Sequence, residues 1–214
     1  MTPYEHEQIR GRSLAPDGGP AFIFGGEAHY FRIPKPLWRD RLRKMRAAFL
    51  TMVGAYIPWN VHETGEGRFD FSGGNDLGEW LSLIREEGFR LFARPGPYIC
   101  SELDFGGLPG WLLGKDRLVR TDDPVYLEAA ANWFRAVNAI IGRFSPEHGG
   151  NLVLYQIENE LIWTERQYFR QLVRWVRRDG ITVPLITNLA PDTRTSPDIR
   201  SEERRVGKEC RSRW

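Results

Sequence analysis

Hydrophobic and polar positions alternate in blocks along most of the 214 residues, and the blocks switch between two periods. Short apolar runs closed by Gly, Pro or polar residues read as strands at Ala21 to Phe24, Met52 to Ile57, Phe89 to Ala93, Leu152 to Ile157 and Val183 to Ile186. Between them lie longer segments with apolar residues at helical spacing: Pro36 to Phe49, Leu77 to Glu87, Val125 to Phe144 and Glu165 to Asp179. Pro36 suits a first helical turn. Asn75 and Asp76 offer caps for the second helix, and Gly88 stops it.

Strands that alternate with helices of this length predict βαβ units and a parallel sheet. A doubly wound sheet and a (β/α)₈ barrel both satisfy that rhythm. The Gly-x-Gly-x-x-Gly of a dinucleotide fold is absent after the first strand. Polar and aromatic residues gather instead just past the strand ends: Glu27 and His29, then Trp59, Asn60, His62 and Glu63, then Arg94, Tyr98 and Glu102, then Glu158, Asn159 and Glu160. A barrel enzyme builds its site on that face. The expected fold is therefore α/β, a (β/α)₈ TIM barrel of which about five strands are present, against the roughly 250 residues a whole barrel takes.

Composition changes one part of this picture. With 41% hydrophobic and 13% aromatic residues the chain can bury a core, and no apolar run approaches the roughly 18 residues of a membrane span. The N-terminus shows no secretory signal pattern, so a soluble protein of the cytoplasm is expected. Residues 200–214 differ in character from everything before them and resemble an in-frame translation of a sequencing adapter. They are set apart as a non-native tail, leaving residues 1–199 as the partial catalytic domain; a basic tail for nucleic acid is the alternative. Six of the 30 basic and three of the 28 acidic residues lie in that tail, so the rest carries a net charge of −1 and predicts no nucleic-acid partner. Cys210 also lies there, which leaves Cys100 without an intrachain disulfide partner.

The strongest chemical signal is Leu152-Val153-Leu154-Tyr155-Gln156-Ile157-Glu158-Asn159-Glu160, an apolar strand running into two carboxylates at the barrel mouth. A carboxyl group half desolvated among aromatic side chains is pushed toward neutral pKa and becomes able to donate a proton. Strand alternation sends Glu158 and Glu160 to one side and Asn159 to the other, unless the strand ends or bulges there.

Together with Gly25-Gly26-Glu27-Ala28-His29-Tyr30-Phe31-Arg32, Ala55-Tyr56-Ile57-Pro58-Trp59-Asn60-Val61-His62-Glu63, Gly67-Arg68-Phe69-Asp70-Phe71, Arg94-Pro95-Gly96-Pro97-Tyr98-Ile99-Cys100-Ser101-Glu102 and Gly106-Gly107-Leu108-Pro109-Gly110-Trp111-Leu112, this segment resembles glycoside hydrolase family 35, the retaining β-galactosidases. The resemblance covers nearly all of residues 20 to 190 and implies hydrolysis of terminal β-linked galactose with no cofactor and no metal. It implies Glu160 as the general acid/base, Asn159 beside the sugar 2-hydroxyl, and Tyr56, Cys100, Ser101 and Glu102 around the galactose. Glu102 would accept hydrogen bonds from two hydroxyls, and Cys100 and Ser101 would contribute backbone atoms. Glu158 is expected to support the fold rather than transfer protons. The nucleophile would be a Glu on the seventh strand, beyond residue 199, so the fragment by itself is expected to be inactive. The chain departs from the family pattern at Ser101-Glu102-Leu103, at Leu161-Ile162 after Glu-Asn-Glu, and at Glu27, where the family favours a small residue. Those changes bear on which sugar fits more than on proton transfer.

Other candidates are weaker. No cluster has zinc-ligand spacing, and His29 and His62 read as hydrogen-bonded pocket or core residues. Cys100 reads as a pocket-lining thiol, and Trp59, Trp111 and Trp163 read as packing residues, with one or two of them open to a role as a sugar platform. Arg39 to Arg46 reads as a solvated helix face. Two further readings remain at this point: a barrel glycosidase for another sugar, and a non-catalytic sugar-binding protein.

Overall fold

The computed structural model describes residues 9–10, 13–14, 22–113, 118–161, 166–188 and 199–201. Six parallel strands form one sheet in chain order: β1 (Gly25–Glu27), β2 (Met52–Tyr56), β3 (Arg90–Gly96), β4 (Leu152–Ile157), β5 (Leu185–Thr187) and β6 (Ile199–Ser201). The helices α1 (Trp38–Ala47), α2 (Leu77–Glu86), α3 (Pro124–Ile141) and α4 (Arg166–Arg178) connect the first five strands. A doubly wound sheet reverses its strand order at a switch point, and this sheet never does. Parallel crossovers share one hand, so an unreversed order keeps the helices on one face. That is the arrangement of a (β/α)₈ barrel, here in its first part. The sixth strand adds to the five expected from sequence. The expected boundary at 199/200 falls inside it, and residues 202–214 lie outside the described residues.

The element boundaries shift where backbone chemistry overrides the apolar pattern. The first strand was expected at Ala21 to Phe24 but lies at Gly25–Glu27; Ala21 is outside the described residues. A Cβ on Gly26 would come within 2.2 Å of Leu50 Cδ2 and 3.2 Å of Met45 Cε, so the glycine serves as a strand residue packed tightly on α1 and its exit. The fifth strand starts at Leu185 rather than Val183, because Pro184 has no N–H and takes part only as an acceptor, from Tyr155 N at 3.2 Å. Asp76 caps α2, its carboxylate accepting from Glu79 N at 2.9 Å, while Asn75 ends the 3-10 turn before it. Asp123 caps α3 by accepting from Val125 N and Tyr126 N, both at 3.0 Å. The basic face of α1 is tied to α2 through Arg39 with Glu86 and Glu87, at 2.5 and 2.6 Å.

An aromatic core fills the space between sheet and helices. Trp38, Trp59, Trp80, Trp133, Tyr126, Tyr155 and Tyr168 are fully buried. Trp59 stacks on Trp133 with ring centres 5.9 Å apart, which makes it a core residue rather than a sugar platform. Trp111 is partly buried against that core, its Nε1 donating to Glu63 O at 3.2 Å. Trp163 lies outside the described residues.

His62 lies in the same core against Phe71 and Trp133, with ring centres 4.5 and 6.0 Å away, and its ring nitrogens are paired to the Tyr30 hydroxyl and to Asp70 O. Burial pushes its pKa down to about 4. Between pH 6.5 and 4 the unfolded chain therefore takes up a proton that the folded chain refuses. Stability should fall as pH drops through that window, by up to roughly 3 kcal/mol from this residue. Glu63 and Glu158, both raised mainly by burial, act in the opposite direction. Comparison with His62→Phe isolates the histidine: urea denaturation of the full-length protein at pH 7 and pH 4.5 should show a smaller difference in the variant.

Candidate active site

The polar residues of the strand ends converge at the C-terminal edge of the sheet, around the end of β4. Regular pairing stops at Ile157, where Glu158 N still donates to Gly96 O at 2.9 Å. Glu158 and Glu160 then take left-handed backbone angles, φ 58° and 49°. This breaks the alternation expected from a continuing strand, so the two carboxylates do not share a side. Glu158 is fully buried, Asn159 is buried and Glu160 is exposed.

The Glu158 carboxylate is satisfied from within. One oxygen accepts from Arg120 Nε and Nη2 at 3.0 and 2.8 Å, and the other from the Tyr168 hydroxyl at 2.5 Å. Burial raises its pKa, opposed by Arg120 and the Tyr168 hydroxyl. Both oxygens are engaged by the fold itself and the residue is fully buried, so this carboxyl is poorly placed to exchange protons with a ligand. The resemblance implies a supporting role for Glu158.

Asn159 is oriented by the donors around its side-chain oxygen. Gln156 Nε2, Asn188 Nδ2 and Arg94 Nη2 lie 3.1, 3.2 and 3.5 Å from Oδ1. With three donors on the oxygen, the network assigns Nδ2 to the other end, as a donor. An amide held in this way is suited to an acceptor such as a sugar hydroxyl oxygen.

Tyr56 ends β2, and its ring lies under the Arg94 guanidinium, 3.9 Å from the centroid. Burial pushes its pKa up to about 12, with Arg94 opposing and the charges of Glu27, Cys100 and Glu160 adding to the rise. The phenol therefore stays a neutral hydrogen-bonding group at any ordinary pH, within electrostatic reach of Cys100 and Glu160. Glu27 pairs with Arg94, and its Oε2 lies 3.7 Å from His29 Nε2. His29 first, then Arg94, hold its carboxyl below the usual range, against the effect of burial. Its Cγ would be 3.1 Å from a Cβ on Gly54, so the glycine of β2 makes room for the carboxylate.

Cys100, Ser101 and Glu102 form a turn of three consecutive left-handed residues, φ 60°, 50° and 48°. Each such residue costs roughly 1–2 kcal/mol. Arg32 offsets part of that cost by donating Nη2 to Ser101 O at 2.6 Å and to Glu102 O at 3.1 Å, while Nη1 meets His29 Nδ1 at 2.7 Å. Ser101 is buried, Cys100 partly buried and Glu102 exposed. The Gly106-Gly107 motif explains itself here: a Cβ on Gly106, φ 63°, would lie 1.9 Å from the Tyr98 ring, which also carries the Arg120 guanidinium 3.8 Å from its centroid.

Glu160, Asn159, Tyr56 and Cys100 are thus brought together, with Ser101 and Glu102 attached through the turn that follows Cys100. Sequence reasoning gave no role to Arg32, Arg120 or Asn188, which hold these residues in place. Arg32 falls inside a recognised motif and was detectable there; Arg120 and Asn188 carry no local signal.

The family model for Glycosyl hydrolases family 35 matches residues 13–208. The beta-galactosidase of Mus musculus is 43% identical over 145 residues, covering 67% of this chain and 22% of that protein. Beta-galactosidase-1-like protein 3 of Homo sapiens is 40% identical over 178 residues, covering 80% of this chain and 27% of that protein. The chain thus spans about a quarter of the length of these curated relatives. Among solved structures, the exo-beta-1,4-mannosidase Op5Man5 from Opitutaceae bacterium strain TAV5 superposes with a TM-score of 0.70 at 16% identity, covering 87% of this chain and 34% of that one. At that identity the likeness concerns the barrel fold alone.

Proposed function

Since the chain belongs to Glycosyl hydrolases family 35, we propose that it carries the acid/base half of an enzyme that removes terminal β-linked galactose from glycosides with retention of configuration. In the first step a carboxylate nucleophile attacks the anomeric carbon as the glycosidic C–O bond breaks. Glu160 gives its proton to the departing oxygen. In the second step the Glu160 carboxylate takes a proton from water, whose oxygen attacks the same carbon and releases the nucleophile. The two carboxyl groups then stand about 5–5.5 Å apart. The nucleophile is assigned to the seventh strand, outside the six described here.

The observation that carries this reading is the division of labour between the two carboxylates after β4. Glu158 is buried, ion-paired with Arg120 and hydrogen-bonded by Tyr168, whereas Glu160 is exposed at the mouth, beside the oriented amide of Asn159. Tyr56 supplies a neutral hydroxyl and Glu102 an exposed carboxylate for galactose hydroxyls, with Cys100 and Ser101 lining the pocket through backbone atoms.

Glu102→Ala in the full-length protein tests the binding half. Hydrogen bonds to a charged group contribute about 1.5–3 kcal/mol each. The variant should therefore lose at least ~10-fold in kcat/KM on aryl β-galactosides, with kcat falling as well as KM rising. Unchanged kinetics across a panel of aryl β-glycosides would place the sugar elsewhere. The same panel discriminates galactose from other sugars, a point on which the Glu27–Arg94 pair and Leu103 make this pocket unlike the family pattern.

A further inference from the structure

The peptide unit joining Asn159 to Glu160 is held at both poles. Its carbonyl oxygen accepts from Arg120 Nη2 at 2.5 Å, and its N–H donates to Asn188 Oδ1 at 3.0 Å. The two partners come from opposite flanks, Arg120 from the loop before α3 and Asn188 from the residue after β5. We infer that Arg120 and Asn188 are positioning residues that clamp this peptide and so fix where the Glu160 carboxyl points; the inference rests on the reading of Glu160 as the acid.

The clamp has work to do, because Glu160 is left-handed and such a backbone relaxes unless its surroundings hold it. Arg120 is itself over-determined. Its Nε and Nη2 both reach Glu158 Oε2, its guanidinium face lies 3.8 Å from the centre of the Tyr98 ring, and its own backbone is left-handed at φ 62°. The loop that presents it is closed by Thr121 Oγ1 donating to Leu118 O at 2.5 Å and accepting from Asp123 N at 3.2 Å. Glu158 is anchored on its far side by Tyr168, which in turn pairs with Tyr126 of α3 at 3.0 Å. The buried carboxylate thus fixes the arginine, and the arginine fixes the peptide that carries the acid. On the other pole, Asn188 also donates to Asn159 Oδ1 at 3.2 Å, so one side chain orients both the amide and the peptide.

A lysine at 120 keeps the charge but presents a single point instead of a rigid fork, and it cannot serve Glu158 and the Asn159 carbonyl with the same geometry. In the full-length protein, Arg120→Lys should therefore lower kcat by about 10–100-fold on alkyl β-galactosides, which need protonation of the leaving oxygen, since a displacement near 1 Å costs about that much. KM should hardly move. The 2,4-dinitrophenyl β-galactoside, whose leaving group departs without help, should lose far less in the glycosylation step, measured as a pre-steady-state burst. Asn188→Ala releases the opposite pole without touching the buried ion pair and should give the same leaving-group split, with KM rising as well because the Asn159 amide loses a partner, so it carries the test if the lysine variant does not fold. Equal losses on both substrates, or none, in folded variants would overturn the clamp. Glu160→Gln run in parallel separates the two claims: if it shows the leaving-group split and the clamp variants do not, only the clamp falls. If Glu160→Gln shows no split, the acid assignment falls first.

Discussion

Glu160→Gln in the full-length protein is expected to slow hydrolysis of glycosides with poor leaving groups by about 10²–10⁴-fold, the usual yield of general acid–base catalysis. Glutamine keeps the size and hydrogen-bonding reach of the side chain and removes only the proton it gives and takes back. A 2,4-dinitrophenyl β-galactoside should still form the glycosyl-enzyme quickly, then stall, because no base remains to activate water. Azide, which needs no base, should restore turnover and yield the β-galactosyl azide. Measuring kcat/KM against leaving-group pKa checks the first half, and product analysis with azide checks the second. Glu158→Gln serves as the contrast. It neutralises a fully buried partner of Arg120, so it should cost about 3–5 kcal/mol of stability and, through the loosened arginine, show a leaving-group dependence no larger than that of Arg120→Lys. A steeper leaving-group dependence in Glu158→Gln than in Glu160→Gln would transfer the role of acid to Glu158.

The contrast between these two residues also marks how far the sequence could be read. Period and punctuation disclose the βα rhythm, and Asp76 and Gly88 act as punctuation at the two ends of α2. The strand-end clustering that favours a barrel over a doubly wound sheet agrees with the unreversed strand order. Local pattern fails where a neighbour distant in sequence decides. Gly26 looks like a terminator until Leu50 and Met45 are seen against it. Glu158 and Glu160 look equivalent in pattern until their own left-handed backbones and unequal burial set them apart. The supports of the site are all long-range: Arg32 reaches Ser101 across 69 residues, Arg120 reaches the Asn159 carbonyl across 39, and Asn188 meets Glu160 across 28. They lie in connecting segments, where no periodicity constrains the residue type. The roles of Tyr56, Cys100, Ser101, Glu102 and Asn159 came through family resemblance rather than through pattern.

The 214-residue polypeptide expressed by itself is expected to release no galactose from an aryl β-galactoside and to lack a cooperative thermal transition. The second expectation follows from an unclosed barrel. A closed barrel pairs its first strand with its last and buries its interior layers between facing strands. Here the sheet has free edges at β1 and β6 among the described residues. Beside β1, Phe22 is 84% exposed and Phe24 48% exposed, and a cleft of about 440 Å³ opens between β1 and α1, lined in part by Glu27, His29, Met45 and Leu50. Unpaired edges of this kind recruit other chains. Apolar surface left in water also contributes nothing against a backbone entropy cost of about 1–2 kcal/mol per residue. Chemistry is expected to fail for a separate reason: on the reading proposed above Glu160 protonates the leaving group, but the covalent step needs a second carboxylate, which that reading places on the seventh strand. Size-exclusion chromatography, dye binding to exposed apolar surface and a calorimetric scan would test the physical half, and an aryl β-galactoside assay at high protein concentration the chemical half. A soluble monomer that melts in one sharp transition would refute the edge argument. Galactoside hydrolysis by that monomer, abolished by Glu160→Gln, would mean that a carboxylate within these 214 residues serves as the nucleophile.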